Sequence, residues 1–149
     1  MLIYLAAPWF NPKQAERHEA ILKVLREWRE VDPKNRQVYN PRESICPTVA
    51  AASVRRTFYD ANTAALHASD IVVAITDERD LGTIFELGYA AALAERIKPI
   101  RLIGVALDLG GEPFNLMLAV ACDAVCSTVD ELRTVLFENQ WKQYKGPIE

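Results

Sequence analysis

The chain has 149 residues and a formal charge of −3; half of its residues are hydrophobic and a quarter are charged. This length predicts one domain over residues 1–149, large enough to bury about 70% of its unfolded surface. The acidic balance argues against a nucleic-acid backbone or an anionic membrane as the main partner, and the absence of a long apolar run or signal-like opening points to a cytoplasmic protein.

The first apolar run, "LIYLA" (2–6), reads as a buried strand, followed by "PWFNP". Asn11 then stands as an N-cap, with Pro12 at the first helical position and Gln14 three residues after the cap. Ala20, Ile21, Val24, Leu25 and Trp28 recur at helical spacing, so residues 12–30 form an amphipathic surface helix. "DPKN" (32–35) is a turn, "QVYN" (37–40) a short strand, and "PRESICPT" (41–48) a loop between prolines. Residues 49–68 read as a helix and "DIVVAIT" (70–76) as a buried strand. The loop "DERD" (77–80) leads into "LGTIFELGYAAALAERI", a helix, and "IRLIGVAL" (100–107) is the fourth strand. A Gly-rich loop and short helix occupy 108–121, a brief strand lies at 124–128, and a last helix spans 129–141.

Five β-α alternations predict a doubly wound, flavodoxin- or Rossmann-like α/β domain, its five-stranded parallel sheet covered by helices on both faces. Ligands of such sheets bind at the carboxyl ends of the strands. The segments "APWFNP", "NPRESICP", "TDERDLGT" and "LDLGGEPFN" should therefore surround one crevice. No phosphate-binding glycine fingerprint follows the first strand. Trp9 and Phe10 stand there instead, and their rings could either cap the core or form a stacking wall for a planar group.

Cys46, Cys122 and Cys126 are unclustered, and His18 and His67 fall in surface-like helical patterns. This predicts reduced core cysteines, no metal site and no cofactor. The acids carry more information. Asp77, Glu78 and Asp80 cluster after the third strand, and Glu86 lies among Ile84, Phe85, Leu87, Tyr89 and Leu93. One turn away stand Gly82, Thr83, Tyr89 and Ala90, none of them a cation. Glu86 is expected to face the crevice, kept ionised by the nearby helix N-terminus, while Gly82 and Gly88 suggest a close approach to the same helix. An ionised acid in a partly apolar cleft suits a nucleophile or base, and paired carboxylates suit glycosidic chemistry.

The segments "IYLAAPWFNP", "DLGTIFELGYA" (80–90) and "PFNLM" (113–117) resemble, in order and spacing, the nucleoside 2-deoxyribosyltransferase family. The resemblance implies an enzyme that exchanges bases between 2′-deoxynucleosides through a covalent intermediate. It implies Glu86 as nucleophile, Tyr4 as the hydroxyl orienting it, and Asp80 as the acid that meets a sugar hydroxyl. Trp9 and Phe10 would flank the base. Asn115 and Met117 would reach the neighbouring subunit's site, which implies an obligate oligomer, usually a hexamer built from dimers. Nucleosides and free bases are the implied small-molecule partners, with Asp77 and Asn62 among the binding residues.

Two positions depart from the family pattern. At Asn62 the family usually carries an aspartate that helps protonate the departing base, and an amide cannot supply an acidic proton. The C-terminal tyrosine of some members has no counterpart, because Tyr144 lies five residues from the last position. Two alternatives use the same scaffold. A 5′-monophosphate N-glycosidase would need a phosphate site, which "APWFNP" does not supply; the neutral amide of Asn115 suits a 5′-hydroxyl better. A non-catalytic nucleotide-sensing domain would bind without forming an adduct on Glu86.

Overall fold

The computed structural model describes residues 1–44 and 52–149. Cys46, the later half of the 41–48 loop and the first residues of the 49–68 helix lie outside them. The strands are β1 (Leu2–Ala6), β2 (Gln37–Tyr39), β3 (Ile71–Ile75), β4 (Arg101–Val105) and β5 (Ala124–Cys126). They form one sheet in the order β2-β1-β3-β4-β5, with every pairing parallel. This is the doubly wound order in which the chain reverses direction of travel between β1 and β3, opening a crevice at their carboxyl ends.

Alternation along the strands decides which helix each residue meets. Ile3 and Leu5 of β1, with Val73 and Ile103, pack on the helices α1 (Pro12–Val31) and α6 (Val129–Glu138). Tyr4 and Ala6, with Val72, Ala74 and Leu102, face the opposite layer, which holds α3 (Ala52–Ala68) and α4 (Leu81–Arg96). Tyr4 is therefore committed by its register to the layer that carries Glu86. Burial of such side chains stabilises the fold by about 1.5–3 kcal/mol each. Cys122 and Cys126 are free and buried, as expected.

Several boundaries move. Pro41–Ser44 forms a helical turn, α2, where a loop was predicted. "DERD" is a 3-10 turn over Asp77–Arg79 rather than an open loop, and Glu78 and Arg79 both take left-handed backbone, with φ 63° and 52°. The last helix stops at Glu138 because Asn139 adopts φ 55°, a left-handed cap, instead of running on to 141. Asn11 caps α1 as predicted, accepting from the Gln14 amide at 2.9 Å. The Gln14 side chain turns further back than a capping box requires, accepting from Phe10 N at 2.9 Å. A short helix, α5 (Leu116–Ala121), covers the end of β4 and carries Asn115 as its cap.

Candidate active site

Glu86 sits in the second turn of α4, half-buried. Its neighbours Leu81, Gly82, Phe85 and Gly88 make an exposed stripe along the helix, and Glu86 lies off that stripe, toward β1. Tyr4, fully buried, donates its hydroxyl to Glu86 Oε1 at 2.6 Å. Asn62 of α3 donates Nδ2 to the same oxygen at 3.4 Å. Tyr39, the last residue of β2, donates its hydroxyl to Asn62 Oδ1 at 3.0 Å. Its ring stacks on Tyr4 with centroids 5.3 Å apart, because β1 and β2 pair Tyr4 opposite Tyr39. Three elements of sheet and helix thus hold one carboxylate from one side, leaving Oε2 clear of these donors.

Burial lifts the Glu86 pKa from its ordinary 4.5 to about 7; the Tyr4 hydrogen bond opposes the rise and the charge of Asp80 adds to it. Against this burial the help expected from the helix N-terminus is small. A helix dipole contributes about 0.3–1 kcal/mol, and its effect fades beyond the first turn, whereas Glu86 stands in the second and loses much of its water. Tyr4 is held protonated by the same burial, its pKa driven far upward, with the charge of Glu86 adding to the effect.

Asp80 caps α4, with Oδ2 accepting from Thr83 N at 2.8 Å and Thr83 Oγ1 at 3.0 Å. Gly82 explains itself here: a Cβ at that position would come within 3.2 Å of Asp80 Oδ2. Gly88 has nothing within 4 Å of where a Cβ would stand, so among the described residues no other backbone approaches it there. Asp77 is buried and its carboxylate is taken up by backbone, accepting from Leu107 N at 3.0 Å and Asp108 N at 2.9 Å. It ties the β3 loop to the β4 loop. Glu78, on the left-handed turn, accepts from Asn11 at 3.2 Å and Arg17 at 3.3 Å. Arg17 also bonds Asp108, and Lys13 approaches Asp108 at 2.7 Å.

Trp9 and Phe10 follow β1, their rings 5.2 Å apart, with Phe10 72% exposed and Trp9 partly covered. Trp9 meets His18 edge-on at 6.0 Å. His18 is fully buried rather than on a surface face, bonded through Nε2 to Asn40 Oδ1 at 3.1 Å. Burial lowers its pKa, so it stays neutral. Sequence reasoning missed it because its only visible cue was an amphipathic helix with charged neighbours. It also missed Tyr39, for which a tyrosine ending a predicted strand at the crevice side was the available signal.

Asn115 and Met117 line a cavity that Glu86 does not line. That cavity, of about 490 Å³, is lined also by Leu81, Ile84 and Phe114, and Tyr4 and Asn62 are not in its lining. Asn115 Oδ1 caps α5 through Met117 N at 3.0 Å, and Met117 is 74% exposed. Among the described residues no His, Cys, Asp or Glu cluster could hold a metal, and no helix is long and apolar enough to cross a membrane.

Solved structures share this architecture. A 2-deoxyribosyltransferase from Bacillus psychrosaccharolyticus superposes with a TM-score of 0.77 at 23% identity, covering 97% of this chain and 100% of that one. A conserved protein from Enterococcus faecalis V583 gives 0.69 at 22% identity over 94% of this chain and 99% of its own. A CMP N-glycosidase from Clostridium botulinum gives 0.59 at 16% identity over 94% and 100%. At these identities the likeness speaks for the fold alone. No curated protein matches the chain. The nucleoside 2-deoxyribosyltransferase family model matches residues 3–117, a span that contains Tyr4, Asn62, Asp80, Glu86 and Asn115, and the chain therefore belongs to that family of pentosyl-transferring enzymes.

Proposed function

We propose that this protein exchanges the base of 2′-deoxyribonucleosides by a retaining double displacement with Glu86 as nucleophile. The observation that carries the reading is the 2.6 Å hydrogen bond from buried Tyr4 to Glu86, which has no paired cation among the described residues. Glu86 Oε2 attacks the anomeric carbon, the glycosidic bond breaks, and the base leaves with its electron pair, giving a glycosyl ester. A nitrogen of the second base attacks the same carbon from the opposite side and expels the carboxylate, so configuration is retained overall. A carboxylate with pKa near 7 is ionised in half the molecules at neutral pH and has little hydration to shed.

Tyr4 orients Glu86, Asp80 meets a sugar hydroxyl through Oδ1, and Trp9 and Phe10 flank the base. Asn62 meets the base as an amide, so leaving-group protonation is weaker than an aspartate would give. Asp77 holds the loop that presents Asp80. Asn115 and Met117 serve a neighbouring copy, a role supported by the cavity they line, which Glu86 does not line, and by the exposure of Leu81 and Met117 at its wall. The assembly proposed is a hexamer built from dimers, read by light scattering.

The decisive assay incubates the protein with a deoxynucleoside, with and without an acceptor base. A new nucleoside that appears only with acceptor supports exchange. Free deoxyribose in both arms would make the protein an N-glycosidase, and binding without turnover would make it a sensor.

A further inference from the structure

Asn62 presents a question of orientation. Its amide has one face that donates and one that accepts, and the two look alike in shape. Which face meets Glu86 decides whether the amide helps or opposes the negative charge. Glu86 Oε1 already accepts from Tyr4, and ionised it can only accept. The favourable arrangement puts Nδ2 toward Glu86, and this is the arrangement present, at 3.4 Å. Oδ1 must then find a donor on the other side. Tyr39 is that donor, at 3.0 Å, and its hydroxyl has no competing bond to another side chain among the described residues.

We infer that Tyr39 is a positioning residue for Glu86, acting through Asn62: its hydroxyl locks the amide with the N–H face toward the carboxylate. The lock rests on reading Glu86 as the reacting group. It gives position 62 a second task, as donor to the nucleophile besides meeting the base, and it explains how an amide is accommodated there. The β1–β2 register supplies the geometry, since Tyr4 and Tyr39 are paired and their rings stack. One residue thus reaches Glu86 directly and its stacked partner reaches it through α3. The other charged group facing Glu86 is Asp80, at the start of the same helix. Neither Tyr4 nor Asp80 is altered when the Tyr39 hydroxyl is removed.

Without that hydroxyl the amide can turn over and present Oδ1 to Glu86. A donor is lost and a lone pair is brought up to a carboxylate, so protonation of Glu86 becomes easier. Tyr39→Phe removes one oxygen and keeps the stacked ring. The test follows the Glu86 carboxyl by ¹³C NMR on protein labelled at glutamate carboxyls, its resonance assigned by its loss in Glu86→Gln. Tyr39→Phe and Asn62→Ala should each move the titration midpoint upward, by about one pH unit. Adding Tyr39→Phe to Asn62→Ala should move it no further, because both act through one amide. An unmoved midpoint in Tyr39→Phe, or an equal further shift on the Asn62→Ala background, would overturn the inference. The readout needs no turnover. A protein whose midpoint follows this pattern yet exchanges no base would remove the nucleophile reading and leave the lock standing.

Discussion

Two groups of acids lie at the carboxyl end of the sheet, and their surroundings differ in kind. Glu78 and Asp108 are ringed by donors: Asn11, Arg17 and Lys13 reach the first, Lys13 and Arg17 the second. Both are held below the ordinary carboxylate range, Glu78 chiefly by the Asn11 hydrogen bond and Asp108 chiefly by Lys13. Among the described residues Glu86 has two neutral donors and no cation, and burial pushes its pKa up to about 7. A satisfied acid is a structural tie. A desolvated one retains reactivity toward an electron-poor carbon. The contrast separates the loops that shape the crevice from the group that works in it.

The largest effect should come from Glu86→Gln, which keeps the shape and the acceptor for Tyr4 and removes the nucleophile. We expect base exchange to fall to background in the chromatographic assay. The same variant should gain stability at pH 8. The native state binds the Glu86 proton more tightly than the unfolded chain does, so the group's contribution is full below about 4.5 and lost as pH rises through about 7. That difference corresponds to roughly 3 kcal/mol, and thermal melts of wild type and variant should converge toward pH 4.5.

Asn62→Asp comes next. An acid restored beside the base should raise exchange from slow-leaving bases by up to ~10²-fold, measured across a matrix of donors and acceptors. If rate, pH profile and base preference all stay unchanged, position 62 has no part in base departure. Tyr4→Phe removes the strongest donor to Glu86. Loss of a hydrogen bond to a charged group predicts a rise of about 1–2 pH units in the acid limb of kcat/KM and about tenfold slower exchange at pH 7. Wild type itself should gain activity as pH rises through about 7.

Arg17→Met tests the other side of the contrast and should have the smallest effect on exchange, a few-fold at most. Its cost should appear in the melting temperature at pH 7, because Arg17 is buried between Glu78 and Asp108. Those acids have depressed pKa values, so their contribution is present above the carboxylate range and lost as pH falls through it. The gap between variant and wild type should narrow on acidification.

How much of this was legible in the sequence depends on the range of the interaction. Asp80 as cap of the Glu86 helix came only with the structure, whereas Asn11 with Pro12 at the start of α1 is a local signal and was readable. The oddity of an acid in "IFELGY" pointed to Glu86 for the same reason. Tyr39 and Asn62 were opaque as a pair because their contact depends on β1–β2 register and on α3 lying over it, 23 residues apart in the chain. His18 was misplaced because the face of α1 it occupies is decided by Trp9 and Asn40, from two other segments. The upward push on the Glu86 pKa was not legible, because a helix pattern reveals the dipole but not the lost water. Asp77 read as a crevice acid; only the fold reveals the two backbone amides that occupy it.

The central claim is that Glu86 Oε2 becomes the glycosyl ester. Intact mass of the protein quenched in acid during turnover of a deoxynucleoside without acceptor should show one deoxyribosyl adduct, and peptide mapping should place it on Glu86. Exchange that proceeds with no adduct, or with the adduct on another residue, would contradict the account.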